Sequence, residues 1–462
     1  MGRIVYAEER LHNYLTSLAK PDEYTIGLIL GQSAGQKDYI VHLAKTPLPL
    51  DKNVVEETAI SSKANVEQTN VNNYIKSVKD IPESWVADHA KHVTRMLPGG
   101  MQVLGAFIVG PNDVINDNIN VQKLRSILMA IHKNLSQNKY LCGNNNEEHL
   151  ILNLNSITQK YICKSVEISK TGMIKPAEWK FQGKSTKWHQ LEAVIDFDRL
   201  FLIAANKDPE TLKKQLQDIL KSMSDTIESS LIAIEGEVKS PNDTLDIITK
   251  NKKEEKGCKN NDKNANDKPI HISLYIPCQV NDTSSNVRVT ACNASIRLVG
   301  QLVSRTFVHQ KANVEEANAA VKEDIIRSLA SRLEMHWDSL IDEENGSPEE
   351  NITLHEPPRR VLIELPESKV TLSDYLFPGE GPQEALVSLQ ELLDLEVQEN
   401  TVQKDIELQV DPMEFYSQSE VDVKPVDFGK DLCDNQQNKI YITGISIAII
   451  ILIIAIVIHK LY

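Results

Sequence analysis

Residues 440 to 458 read IYITGISIAIIILIIAIVI, 19 residues without a charged side chain. As a helix rising about 1.5 Å per residue, this run spans about 28 Å, close to the roughly 30 Å hydrocarbon core of a bilayer. Lipid offers no partner for backbone N–H and C=O groups, so a segment that enters it must be helical. Isoleucine inserts favourably, at about half a kcal/mol per residue. Lys439 and Lys460 bracket the run and can reach the two headgroup layers. The pattern predicts a transmembrane helix over 439–459, with Ile440, Ile449 and Ile458 spaced along its lipid-facing length. No other stretch is long and apolar enough to span. The expectation is a single-pass C-terminal anchor, inserted after synthesis, with a cytosolic N-terminal body. The sequons at Asn134, Asn242, Asn281, Asn293 and Asn351 are then expected to stay unmodified.

A formal charge of -15 argues against nucleic acid, which needs a concentrated basic surface. The six cysteines are scattered and form neither a zinc knuckle nor a CxxC pair, as in a reduced compartment. MGRIVYAEERLHNYL is too charged for a signal peptide, and Tyr6 stands where myristoylation wants Ser or Thr.

Residues 4–16 have apolar positions at helical spacing. YTIGLILGQ (24–32) and QKDYIVHLAKTP (36–47) read as paired strands, and 51–75 as a polar loop. ESWVADHAKHVTRML (83–97) predicts a helix, MQVLGAFIV a strand, and 120–135 an amphipathic helix. Residues 149–169 read as a hairpin, 191–204 as strand, and 211–234 as one long helix. All this is expected to form one α+β domain over 1–235. Residues 250–268 are nearly free of apolar side chains, and 236–268 reads as a charged, disordered linker. PIHISLYIP alternates as a strand, and two more strands are expected before His309. A helix capped by Asn313 over 313–341 and two strands ending at Phe377 complete a second, smaller α+β domain over 269–380. Residues 381–438 read as a short helix followed by an acidic flexible tether.

The search for chemistry centres on RMLPGGMQVLGAFIVGPNDVINDNINV (95–121). A strand ending in G-x-x-H-x-H-P resembles the core of MPN-domain metalloproteases, where two histidines and a later Asp hold zinc. Here Gly105 and Pro111 keep the frame. Ile108 and Gly110 stand where the histidines would be, Asn118 replaces a Ser, and Val121 replaces the Asp. These residues cannot ligate a metal, so the resemblance implies a catalytically dead MPN-like domain with no cofactor. His89 and His92 form an H-x-x-H on a helix without an evident third ligand; a helix face accounts for them better. Cys142 is the best candidate for a thiol nucleophile, but no base is arranged beside it.

Several blocks together resemble the odorant-response-abnormal protein 4 homologues: GLILGQSAGQKDYIV (27–41), WVADHAKHVTRMLPGGMQVLGAFI (85–108), KPAEWKFQ (175–182), SIRLVGQLVSRTFVH (295–309) and RRVLIELPESKVTLSDYLF (359–377). The resemblance implies a non-enzymatic, single-pass protein of the endoplasmic reticulum membrane. It also implies two kinds of partner: the cysteine protease specific for the ubiquitin-fold modifier, and G-protein-coupled chemosensory receptors whose folding and trafficking it supports. The competing readings are an active cytosol-facing peptidase and a SNARE-like trafficking protein. The second lacks the long heptad helix before the anchor, where Pro412 and Pro425 stand. Candidate partner-binding residues are the turn Pro98, Gly99 and Gly100, and the aromatic pair Trp179 and Trp188 in a loop-like segment.

Overall fold

The computed structural model describes residues 2–48, 75–142, 147–168, 173–205, 210–248, 268–277, 291–340 and 355–407, which belong to one compact unit. The expected anchor at Ile440, Ile449 and Ile458, the loop 51–74 and most of the tether lie outside them. Among the described residues no helix is long and apolar enough to cross a membrane.

The chain is a mixed α and β fold. Its first seven strands close into a barrel: β1 (Arg3–Glu8), β2 (Thr25–Ala34), β3 (Lys37–Lys45), β4 (Gln102–Gly110), β5 (Glu148–Asn155), β6 (Tyr161–Glu167) and β7 (Ile174–Gln182), in the order β1-β3-β2-β4-β5-β6-β7. The stretch 4–16 is not one helix. Arg3, Val5 and Ala7 alternate inward on β1, which pairs in parallel with both β3 and β7 and so closes the barrel. The helix α1 (Glu9–Ser17) starts only afterwards. Pairing on two sides outweighs a local helical spacing.

The run VLGAFIV in β4 is continuously apolar because both its faces are covered. Leu104, Phe107 and Val109 face the barrel interior with Leu152, Leu154 and Trp179. Val103, Ala106 and Ile108 face an outer layer built from α2 (Glu83–Met96) and α3 (Asn118–Gln137).

A second sheet, in the order β11-β8-β10-β9, contains β8 (Trp188–Ala204), β9 (Leu231–Ile234), β10 (Ile270–Tyr275) and β11 (Cys292–His309). It packs on α4 (Leu212–Glu228) and the long α5 (Val314–Leu340) in a shared core that includes Leu191, Ile219, Ile272, Leu302 and Ile325. The boundary expected at 236–268 therefore does not separate two domains, because β8 and β9 from before it pair with β10 and β11 from after it. Two smaller expectations also change. The helix over 211–234 ends at Glu228 and its last residues become β9, which pairs with β10. β11 is one strand of 18 residues, paired along the whole of β8 with a register shift between Cys292 and Ala294.

A third sheet, β13-β12-β14, comprises β12 (Arg359–Glu364), β13 (Thr371–Leu376) and β14 (Val402–Gln403). With α6 (Pro382–Leu393) it joins the outer core around α2. The first part of the expected tether is thus ordered: Glu407 is buried and pairs with Arg332 at 2.6 Å. The end of α6 is held by two buried histidines. His42 Nε2–H donates to the Leu393 carbonyl at 2.8 Å and His89 Nε2–H to the Leu392 carbonyl at 2.7 Å. A carbonyl only accepts, so the Nδ1 of His89 accepts from the Thr46 hydroxyl at 3.0 Å. Burial lowers both histidines to a pKa of about 4.

Candidate functional site

β4 runs into a short turn, a 3-10 stretch at Val114–Asn116, and then α3. Each expected ligand position is filled by packing. Ile108 is fully buried in the outer core beside Val114, Ile115 and Leu124. At Gly110 a Cβ atom would lie 2.2 Å from the ring of Tyr24, so an aromatic ring occupies the space a side chain would need. Val121 is buried on α3.

The loop is latched by amides. The Asn153 Oδ1 accepts from the Val114 N–H at 2.8 Å, and the Asn155 Nδ2 donates to Asp113 at 3.0 Å. The Asn112 Nδ2 donates to the Tyr24 hydroxyl at 2.9 Å, and Lys164 donates to the Ile115 carbonyl at 3.1 Å. Amides and apolar groups fix a loop but do not polarise a water or accept its proton. Among the described residues no group of three or more His, Cys, Asp or Glu is placed to hold a metal.

His89 spends Nε2 on the Leu392 carbonyl of α6 and Nδ1 on the Thr46 hydroxyl, so it is not half of a ligand pair. Cys142 lines a cavity of about 30 Å³ with His132, His149 and Arg327. Burial pushes its thiol up, away from the thiolate a nucleophile needs.

Pro98, Gly99 and Gly100 are not an open turn. Pro98 and Gly99 are buried against α5. The Gly99 N–H donates to Asp324 at 3.0 Å and the Gly100 N–H to Glu323 at 3.2 Å. Arg327 donates to the carbonyls of Leu97 and Pro98, both at 3.0 Å, and to that of Leu141 at 2.8 Å. A Cβ at Gly99 would meet the Ala320 carbonyl oxygen at 2.0 Å, and Gly100 adopts φ +78°. The two glycines exist so that the loop can lie on α5.

The aromatic pair is likewise not an exposed patch. Trp179 is on β7 inside the barrel, 5.9 Å from the Phe181 ring. Trp188 is half-buried at the start of β8, edge-on to Tyr39. Both stand in strands because β7 pairs with β1 and β8 with β11.

Sequence reasoning missed the groups that organise this centre. Asp324 and Arg360 form a bidentate pair, Nη1 to Oδ2 and Nη2 to Oδ1, each 2.8 Å, with side chains 1% exposed. Ser304 donates to Asp324 at 2.7 Å, and Arg360 donates to Ser373 and to the Val303 carbonyl. Burial pushes the Asp324 carboxyl up, but Arg360, Ser304 and the Gly99 N–H outweigh it and hold it below the usual range. Gln32 on β2 donates to the carbonyls of Gly100 and Phe307 and accepts from the His309 N–H. The signal was present: Asp324 interrupts the buried stripe Val314, Ala317, Val321, Ser328 and Ser331 of α5. A charge on a buried stripe needs a partner.

The family model described as Odorant response abnormal 4-like matches residues 27–404, which contain the loop after β4, the Gly99 clasp and the Asp324–Arg360 pair. The chain belongs to this family. It is 30% identical over 408 residues to Protein odr-4 homolog of Homo sapiens, covering 86% of this chain and 84% of that one. It is 21% identical to Odorant response abnormal protein 4 of Caenorhabditis elegans, covering 89% and 83% respectively. Among solved structures, the crystal structure of UfSP from C. elegans aligns at 8% identity with a TM-score of 0.39, over 85% of this chain and 56% of that one. Within the family match, the residues that fix the loops are amides, glycines and one buried ion pair.

Proposed function

We propose that this chain is a non-catalytic adaptor. It is held at the endoplasmic reticulum membrane by residues 440–458 and presents an MPN-like barrel to the cytosol. The observation that carries this reading is the filled frame: Ile108 buried, Tyr24 packed on Gly110, and asparagine amides latching the loop. A fold that keeps the scaffold of a hydrolase and spends its site on packing is suited to binding proteins. The adaptor's partner is the cysteine protease specific for the ubiquitin-fold modifier, which the anchor delivers to the membrane.

A second reading is support of odorant receptor trafficking, favoured by the name of the C. elegans relative, Odorant response abnormal protein 4. Co-purification of the full chain with the modifier-specific protease separates the two. A stable stoichiometric complex supports recruitment. A chain that purifies alone sinks it and leaves receptor support, to be tested by pull-down of receptors from microsomes.

A further inference from the structure

β8 and β11 pair along their whole length, from Trp188 opposite His309 to Ala204 opposite Cys292. On its other side β8 meets β10 only from Leu191 to Ala193. Beyond Ala193, among the described residues, β8 has a hydrogen-bonding neighbour on one side alone. A row of unpaired backbone groups is a template for another strand. The side chains here make it an apolar template. Leu200 and Leu202 are 58% and 64% exposed on the outer face. On the inner face the missing neighbour leaves a groove of about 400 Å³, lined by Phe197, Met223, Ile227, Leu274, Ile325 and Leu329.

We propose that this edge is the interface between two copies of the chain, with β8 pairing antiparallel to β8 of a second copy about a two-fold axis at Phe201. The sequence selects that register. Direct antiparallel partners have residue numbers of constant sum, and a two-fold axis makes the pattern reciprocal. An axis at Asp198 or Arg199 sets two like charges face to face, which is destabilising. An axis at Leu200 sets Leu202 against Asp198 of the second copy. The axis at Phe201 pairs Leu200 with Leu202 twice and Phe201 with itself. It sets Arg199 opposite Ile203, and no like charges meet. Ile203 of the second copy then lies beside Arg199, at the mouth of the groove that the missing neighbour leaves. The opposite edge of the sheet, on β11, is a poorer template, because Val303 and Phe307 already spend backbone groups on Glu407, Arg360 and Gln32. Its distal half carries exposed Asn293, Ser295 and Arg297, the polar side chains that blunt an edge.

The test uses the full chain in detergent micelles. Sedimentation velocity across the micromolar range is expected to show a concentration-dependent dimer. The variant L200K/L202K changes only exposed positions and is expected to weaken it about tenfold or more. Contact through residues 440–458 would also give a dimer, so a second measurement fixes the site. Differently tagged copies carrying Leu200→Cys and Leu202→Cys are mixed and oxidised. They are expected to cross-link tag to tag, whereas two Leu200→Cys copies cross-link poorly. A monomer at all concentrations overturns the proposal, and so does a dimer indifferent to L200K/L202K and without the 200–202 cross-link.

Discussion

Replacing Arg360 with methionine tests whether the buried pair fastens the third sheet to α5. The side chain of Arg360 is 1% exposed and makes two 2.8 Å bonds to Asp324. Its removal leaves the carboxylate equally buried, with the Ser304 hydroxyl and the Gly99 N–H as remaining donors. Removing one partner of such a pair costs about 3–5 kcal/mol, against a whole-domain stability of about 5–15 kcal/mol. That is a fall of roughly two to three and a half powers of ten in the folding constant. Arg360→Lys keeps the charge but loses the fork, and is expected to cost less. The decisive comparison is D324N/R360M. An asparagine in place of the carboxylate accepts from the Gly99 N–H through Oδ1, turns its Nδ2 donor to the Ser304 hydroxyl oxygen and carries no charge, so the double variant should be more stable than R360M alone. Urea unfolding followed by tryptophan fluorescence at pH 7 measures these three variants and Asp324→Asn alone. The reasoning fails if R360M lies within about 1 kcal/mol of the parent, or if the double variant is as unstable as the two single changes added.

Other sites give sharper single readings. Gly110→Ala drives a Cβ to 2.2 Å from the Tyr24 ring and should cost about 1–3 kcal/mol in the parent but little in a Tyr24→Ala background; an unshifted urea midpoint in the parent would refute the packing account. His42 and His89, lowered to about 4 in the fold, contribute stability that is complete above their unfolded value near 6.5 and is lost as pH falls toward 4. At pH 5 the loss is about 2 kcal/mol per histidine. Asp374, raised by burial to about 6, acts in the opposite sense, so the measurement is a difference: between pH 7 and pH 5, H89Q should lose about 2 kcal/mol less stability than the parent. The body is expected to face the cytosol, so treatment with an endoglycosidase should leave its gel mobility unchanged; a shift would place the sequons in the lumen.

The strands and helices that were legible share one property: the sequence around them carries the whole pattern. ESWVADHAKHVTRML and the 313–341 segment show their apolar stripes within a few turns, and MQVLGAFIV shows two covered faces as an unbroken run. Elements whose identity depends on a distant partner were not legible. Residues 3–8 are strand because β3 and β7 flank them, and Leu231–Ile234 because β10 does. The division at 236–268 failed for the same reason, since a charged insert in the chain says nothing about which strands meet across it.

The candidate site divides along the same line. That Ile108, Gly110 and Val121 are poor metal ligands could be read from the residues alone. What packs around them could not, because Tyr24, Asn153 and Asn155 reach this loop from other strands. The PGG turn shows the opposite error. Two glycines after a proline look like an exposed bend, yet their lack of side chains is what lets the loop press onto Ala320 and Asp324. The polar groups that fix this molecule are Asp324, Arg327, Arg360 and Gln32, gathered where the barrel, α5 and the third sheet meet. They are sealed at the junction of the layers, where they hold the barrel in one fixed setting on the second sheet.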